Sequence, residues 1–172
     1  YEENGFFDAI TETYVPLLWA IKEAADAGHE PRLTMAITPP LLSMMADSLL
    51  MKRYDRFLEN RQSLIRKEIK LTQEQGLIEE AQLALFYAER YIKIRDLVFG
   101  QYKGDLIAAF REFSEKGYLE LMTCAATHGF LPLMKEHPGA VRAQLEMGVR
   151  THKRLIGKAP RGIWLPECAF YP

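Results

Sequence analysis

Cysteine is scarce in this sequence, and that scarcity excludes two classes of site. Only Cys124 and Cys168 occur among 172 residues. They form no CxxC motif and have no histidine partner at metal-ligand spacing, so neither a disulfide framework nor a metal site is predicted. We therefore expect reduced thiols in a cytoplasmic protein that needs no metal and no cofactor.

Long apolar runs and an excess of charge of one sign are also missing. No stretch approaches the roughly 20 apolar residues that span a bilayer. Lysine and arginine total 22 against 23 aspartates and glutamates, which gives a net charge of -1 at pH 7 with neutral histidines. Because nucleic acids and anionic membrane surfaces attract strongly basic proteins, neither is predicted as a partner.

The first residues, YEENGFFDAI, contain no methionine and no charged segment followed by an apolar one. No signal peptide is therefore predicted, and we expect a segment of a longer gene product. What is present is a globular composition, 48% apolar and 26% charged, long enough for one ordinary domain.

Helical spacing of apolar residues dominates the chain. It predicts a helix over residues 6–27, with Asn4 as its cap, Gly28 at its end and a kink that Pro16 causes near residues 12–15. Further helices are predicted in the same way, and their ranges are 40–75, 77–99, 105–116 and 138–157.

Three short apolar segments are predicted as strands: residues 33–38, 118–124 and 162–166. Strands that alternate with helices favour an α/β protein with a parallel sheet. Because three strands alone leave open edges, a piece of a larger sheet or barrel is favoured. The predicted organisation is a barrel helix and strand at 1–38, a helical insertion at 39–117, and a barrel strand–helix–strand segment at 118–172.

Polar residues cluster where the predicted strands end, and ligands meet parallel sheets at those ends. One cluster contains His128, and another contains Glu167 directly after the stiffening Pro166. From spacing alone, each is either a functional group or an ordinary loop residue. Trp164 is either a core residue or a platform for stacking a sugar. The two cysteines are interpreted as packing residues, because no base is identifiable beside them.

Two motifs carry more than spacing. WLPECAF, preceded by Gly162, and LELMTCAATHGFLPL, about 40 residues upstream, resemble glycoside hydrolase family 57, and most closely its 1,4-α-glucan branching-enzyme-like subgroup. AITETYVPLL and LTMAITPPLL also match, so the resemblance covers essentially the whole chain. It implies part of a (β/α)7 barrel with a large helical insertion, and retaining chemistry on α-1,4-glucans.

The resemblance also implies roles for residues. Glu167 is the implied nucleophile, His128 falls in the glucosyl-binding region, and Glu120 matches a position that contacts substrate; Trp164 joins these two as a substrate-binding candidate. The expected activity is that of a branching enzyme, which cleaves α-1,4 and forms α-1,6 linkages through a glycosyl-enzyme. The alternatives are an α-amylase, a 4-α-glucanotransferase, or a non-catalytic interaction module formed by residues 40–116.

Residues 1–172 alone are predicted to be inactive. The resemblance requires an aspartate general acid on a later strand and a histidine-containing strand at the start, and this sequence has neither. Incubating the purified 172-residue chain with amylose, and assaying reducing ends and linkages, checks this. Measurable hydrolysis or transfer contradicts it.

Overall fold

A computed structural model describes residues 2–172, and their side chains from residue 3 onward. The order of elements is helix, strand, helical block, strand, helix, strand, as predicted. The helices are α1 (Glu2–Ala9), α2 (Val15–Asp26), α3 (Pro39–Met45), α4 (Ser48–Glu74), α5 (Ile78–Arg95), α6 (Leu106–Glu115) and α7 (Pro138–Ile156). The strands are β1 (Leu33–Ala36), β2 (Leu119–Cys124) and β3 (Ile163–Trp164). Among the described helices, none combines the length and apolarity that crossing a membrane requires.

The chain divides into two compact units. One comprises Ser48–Asp105 with the chain up to Ala20, and the other comprises Ile21–Asp47 with Leu106–Pro172. α3 and α6 therefore group with the sheet, although both fall within the range predicted as an insertion. The assignment of barrel and insertion segments at 1–38, 39–117 and 118–172 stays a prediction.

The helix distortion that Pro16 predicts takes the form of a π turn, Ile10–Tyr14, between α1 and α2. Pro16 has no N–H to donate, and the N–H of Val15 donates to the carbonyl of Ile10, five residues back. The predicted cap at Asn4 is wrong, because the helix already begins at Glu2 and Asn4 lies inside it.

The first unit is built on the packing of α4 against α5. The two helices are connected by a turn at Gly76 (φ +69°). Tyr54 and Leu58 on α4 and Ile94 on α5 are fully buried. The buried Thr11 hydroxyl donates to the carbonyl of Phe7 (2.7 Å) and lies 3.0 Å from the Tyr54 hydroxyl. Burial raises the pKa of Tyr54, so this hydroxyl remains protonated.

The second unit contains a parallel sheet in the order β1-β2-β3. Leu33–Ala36 pair with Leu119–Met122, whereas β3 pairs only with Thr123 and Cys124 at the carboxyl end of β2. β1 ends earlier than predicted, because Thr38 is the N-cap residue of α3. Helices do not cover both faces of β1 among the described residues, since Leu33 is 45% exposed.

One face of β2 holds the core of this unit. α6 and α7 pack against the strand, and Leu119, Leu121 and Thr123 are buried. The residues that α7 buries are Gly148, His152 and Ile156, four residues apart in turn. The Thr123 hydroxyl donates to the Gly148 carbonyl at 3.2 Å.

Gly148 is where α7 approaches β2 most tightly. A β-carbon at this position would come closer than 3.0 Å to the carbonyl oxygen of Cys124. Because that oxygen belongs to the backbone of the central strand, it cannot swing away as the end of a side chain can. Glycine is therefore a packing requirement at position 148.

We predict that Gly148→Ala lowers the free energy of unfolding by about 2 kcal/mol, because either α7 or β2 must shift. Gly139→Ala, in the first turn of the same helix, is the matched control, since a β-carbon there has nothing within 4 Å. It is expected to leave stability unchanged or to raise it by up to about 1 kcal/mol. Chemical denaturation of both variants compares them, and equal stabilities contradict the proposed clash.

His152 is a buried polar residue in the same interface. Neither ring nitrogen has a hydrogen-bond partner among the described residues. The pKa of His152 is lowered, first because burial disfavours the imidazolium and second because Lys158 is positively charged. As the pH falls below about 6.5, the unfolded chain therefore takes up a proton at this position before the folded chain does.

The free energy of unfolding is thus predicted to be insensitive to His152 above about pH 6.5 and to decrease at lower pH, in part because of proton uptake at His152. His152→Met removes this proton uptake, so its free energy of unfolding is expected to fall less than that of the wild type between pH 7.5 and pH 5. The control His29→Met replaces an exposed histidine and should follow the wild type. Denaturation at both pH values measures the difference, and parallel losses in all three proteins exclude His152 as a source.

Candidate active site

The short pairing of β2 with β3 brings two loops together at one edge of the sheet. Thr123 lies opposite Ile163 and Cys124 opposite Trp164, and the N–H of Thr123 donates to the carbonyl of Gly162 at 3.2 Å. Because the two strands are parallel and in this register, the segments that follow them leave the sheet at the same edge. The polar segments after these strands therefore converge.

Both loops turn sharply through left-handed backbone. His128 has φ +56°, and Glu167 and Cys168 have φ +54° and +56°. Residues with a β-carbon adopt this conformation at a cost, so the surrounding structure must hold it. The N–H of His128 donates to the carbonyl of Ala125, and the N–H of Cys168 to that of Leu165. Pro166, buried at the start of the second turn, fixes the exit from β3.

The two turns place an imidazole against a carboxylate. Nε2 of His128 lies 3.3 Å from Oε1 of Glu167. The side chain of Glu167 is 71% exposed and that of His128 43% exposed. These two residues are therefore neighbours, and the pair is open to a ligand rather than sealed in the core.

A buried thiol lies behind this pair. Sγ of Cys124 is 3.4 Å from Nδ1 of His128, and Cys124 is almost fully buried. Burial raises the pKa of the Cys124 thiol, which therefore stays protonated and is a poor nucleophile. The interpretation as a packing residue missed this hydrogen-bond contact; the four-residue spacing of Cys124 and His128 was the available signal.

Sequence reasoning also missed Gln144 of α7, which supports the loop after β2. Its side-chain oxygen accepts from the N–H of Thr127 at 2.9 Å, and its amide nitrogen donates to the Thr127 hydroxyl at 2.9 Å. The Gln144 carbonyl accepts from the N–H of Ala126 at 3.0 Å. These three bonds tie the residues just before His128 to a regular helix, and no pattern in the sequence connects the two segments.

Trp164 is exposed at the end of β3. Its exposed fraction is 51%, so of the two interpretations the core one is wrong for the described residues. β3 is two residues long and has one neighbouring strand among the described residues, which leaves its other edge uncovered. An exposed indole beside the carboxylate-bearing turn is a surface on which a sugar ring can stack.

Glu120 is not brought to the pair. It lies at the amino end of β2, about 13 Å along the strand from Cys124. Its Oε1 is 3.8 Å from Nε of the exposed Arg161, at a cavity of about 400 Å³. A contact between Glu120 and substrate stays a prediction, and its position at the opposite end of the strand from His128 disfavours it.

No group of three metal-ligating side chains occurs in the part of the chain that the structure describes. What the arrangement at the sheet edge offers chemically is one accessible carboxylate that is hydrogen-bonded by an imidazole, with an exposed aromatic residue three positions earlier in the chain. These groups suit attack on an electrophilic carbon of a polar ligand.

Comparison with known proteins supports a common origin along the whole chain. The model of glycosyl hydrolase family 57 matches residues 1–172. The 1,4-alpha-glucan branching enzyme TK1436 of Thermococcus kodakarensis is 34% identical over the full 172 residues, which span 24% of its length.

Solved structures agree with this match over 99% of the chain in each case. The alpha-amylase AmyC from Thermotoga maritima is 42% identical with a TM-score of 0.93, over 32% of its own chain. A branching enzyme from Pyrococcus horikoshii is 29% identical with a TM-score of 0.90, over 31% of its chain. The Thermococcus kodakarensis enzyme, solved in complex with glucose, is 33% identical with a TM-score of 0.90, over 30% of its chain. The chain thus spans about a quarter to a third of the length of these relatives.

Proposed function

Because this chain belongs to glycosyl hydrolase family 57, we propose that it carries the nucleophile of a retaining enzyme that acts on α-1,4-glucans. The observation that supports this most is the exposed Glu167 carboxylate, held in a left-handed turn beside His128. Its nucleophile role, the substrate-binding roles of His128 and Trp164, and the glucan substrate are parts of the same proposal.

The chemistry requires a carboxylate that reaches a sugar ring. In a retaining mechanism the carboxylate attacks the anomeric carbon, and the bond to the leaving oxygen breaks as a second carboxylic acid, about 5–5.5 Å away, protonates that oxygen. The covalent glycosyl-enzyme is then attacked by an acceptor, which loses its proton to the same acid residue. Glu167 supplies the first group, and the acid lies outside these 172 residues.

The three strands belong to an incomplete (β/α)7 barrel in this proposal. The exposure of Leu33 on β1 and of Trp164 on β3 supports it, because further strands and loops would cover the outer edges of both. The scarcity of cysteine supports a cytoplasmic location.

Branching is the favoured reaction, since the curated relative and two of the solved structures are named as branching enzymes. In that reaction the acceptor is a 6-hydroxyl of a glucan chain. The second candidate is hydrolysis, which the 42% identity to a protein named as an alpha-amylase favours. 4-α-Glucanotransfer remains the third outcome of a product analysis.

We predict that Glu167→Gln, in the protein as its gene encodes it, lowers the rate on amylose by at least about a thousandfold. The amide cannot form the glycosyl ester, whereas its similar shape should preserve glucan binding. Loss of the covalent adduct with an activated fluoro-glucoside, detected by intact mass spectrometry, reports the nucleophile directly.

The control Glu146→Gln makes the same chemical change at an exposed position on α7, and wild-type activity is expected of it. Adduct formation by Glu167→Gln removes this residue from the nucleophile role. Linkage analysis of wild-type products then identifies the reaction: new α-1,6 linkages mean branching, shorter reducing chains mean hydrolysis, and longer linear chains mean glucanotransfer.

A further inference from the structure

We propose that Cys124 is a positioning residue for the nucleophile. In this arrangement its thiol donates a hydrogen bond to Nδ1 of His128, and the ring then directs Nε2–H at Oε1 of Glu167. The two contacts that carry this inference are the 3.4 Å distance from Sγ to Nδ1 and the 3.3 Å distance from Nε2 to Oε1. Its catalytic consequence rests on the proposed function of Glu167.

The direction of the hydrogen bonds follows from which atoms are able to donate. An ionised carboxylate only accepts hydrogen bonds, so the nitrogen beside Glu167 must carry a hydrogen. A neutral imidazole has a single N–H, which leaves Nδ1 as an acceptor. The group at Nδ1 must then be a donor, and the Cys124 thiol is the group that contacts it.

Cys124 is suited to this task by its environment. Its side chain is 1% exposed, and burial keeps the thiol in its protonated, donating form. Its backbone is fixed on two sides, by the register with Trp164 of β3 and by the close approach of Gly148 of α7. A donor on a strand held in this way keeps its geometry better than a donor on a loop.

The His128 ring is held from the other side by its own loop. The left-handed backbone at His128 is fixed by the bond to the Ala125 carbonyl, and the preceding Thr127 is tied to Gln144. The backbone of His128 is therefore fixed, and the contacts at Nδ1 and Nε2 set the orientation of the ring. A ring flip would put Cε1 opposite Glu167 in place of Nε2, and a tautomer shift would move the hydrogen from Nε2 to Nδ1. A thiol that donates to Nδ1 opposes both changes.

The hydrogen bond from His128 affects the reaction through the orientation of Glu167. An exposed glutamate samples several rotamers, and attack requires one of them. A hydrogen bond from Nε2 to Oε1 selects a rotamer and leaves Oε2 free to attack, so a larger fraction of the bound complexes is aligned for reaction.

The test compares Cys124→Ala with Cys124→Ser in the protein as its gene encodes it. Alanine removes the donor and leaves the backbone unchanged, whereas serine retains a hydroxyl donor of similar size. We expect Cys124→Ala to lower kcat on amylose about fivefold with little change in KM, which is the effect of losing one hydrogen bond. Cys124→Ser should recover kcat to within about twofold of the wild type.

A spectroscopic readout separates positioning from a structural role. With ¹⁵N-labelled histidine at alkaline pH, where imidazole is neutral, His128 of the wild type and of Cys124→Ser should carry its hydrogen on Nε2. Cys124→Ala should show a mixture of the two tautomers. His128→Gln assigns the resonance.

A hydrogen on Nδ1 in the wild type overturns the proposal, and so does an Nε2–H signal that is equally pure in Cys124→Ala. The wild-type spectrum decides by itself if Cys124→Ala does not fold. The tautomer is read without substrate, so its result is independent of the proposed function. If Glu167→Gln still formed the covalent adduct while the tautomer result held, the nucleophile assignment would fail and the positioning contact would stand.

Discussion

A pairing only two residues long, between the end of β2 and β3, is the constraint on which the rest of the site depends. Thr123 and Cys124 lie opposite Ile163 and Trp164 in parallel register. The glycine at position 148 lets α7 press on the same two residues of β2 from the helix-covered face. A shift of one residue in this register would reverse which face each side chain occupies, and His128 would no longer meet Glu167.

Burial decreases in steps from the sheet to the solvent along the contacts of this site. Cys124 is buried, His128 is half exposed, and Glu167 projects furthest. Each group thus has the environment that its task requires: an apolar one keeps a thiol protonated, and an open one lets a carboxylate reach a ligand. The positive φ angles of His128 and Glu167 are the conformational cost of aiming these side chains at each other across two short turns.

The order of helices and strands and the meeting of His128 with Glu167 were predictable, because apolar periodicity and the parallel-sheet rule are local or topological. Glu120 was grouped with His128 because one motif contains both, although β2 places the two residues at opposite ends of the sheet; its contact with substrate stays a prediction. The side of α7 that packs on the sheet could not be predicted from the sequence, because Gly148 and His152 do not contribute to an apolar pattern. The exposure of Trp164 could not be read from its apolar character, because it follows from the uncovered edge of β3. Gln144 acts through tertiary contacts that sequence spacing does not encode.

This fold is similar to proteins that are named for two different reactions, and this similarity indicates which step of the reaction the segment would take part in. An alpha-amylase and branching enzymes share it over 99% of its length, with TM-scores of 0.90–0.93. Hydrolysis and branching differ in the acceptor that attacks the glycosyl-enzyme, and they share the step that forms it. Under the proposed function, a framework common to both reactions is suited to that shared step. Under the same proposal, the arrangement of Cys124, His128 and Glu167 acts in that step, because it would orient the nucleophile and makes no demand on the acceptor. The choice of acceptor must then depend on groups that exclude or admit water around the completed site, beyond the framework that these relatives share.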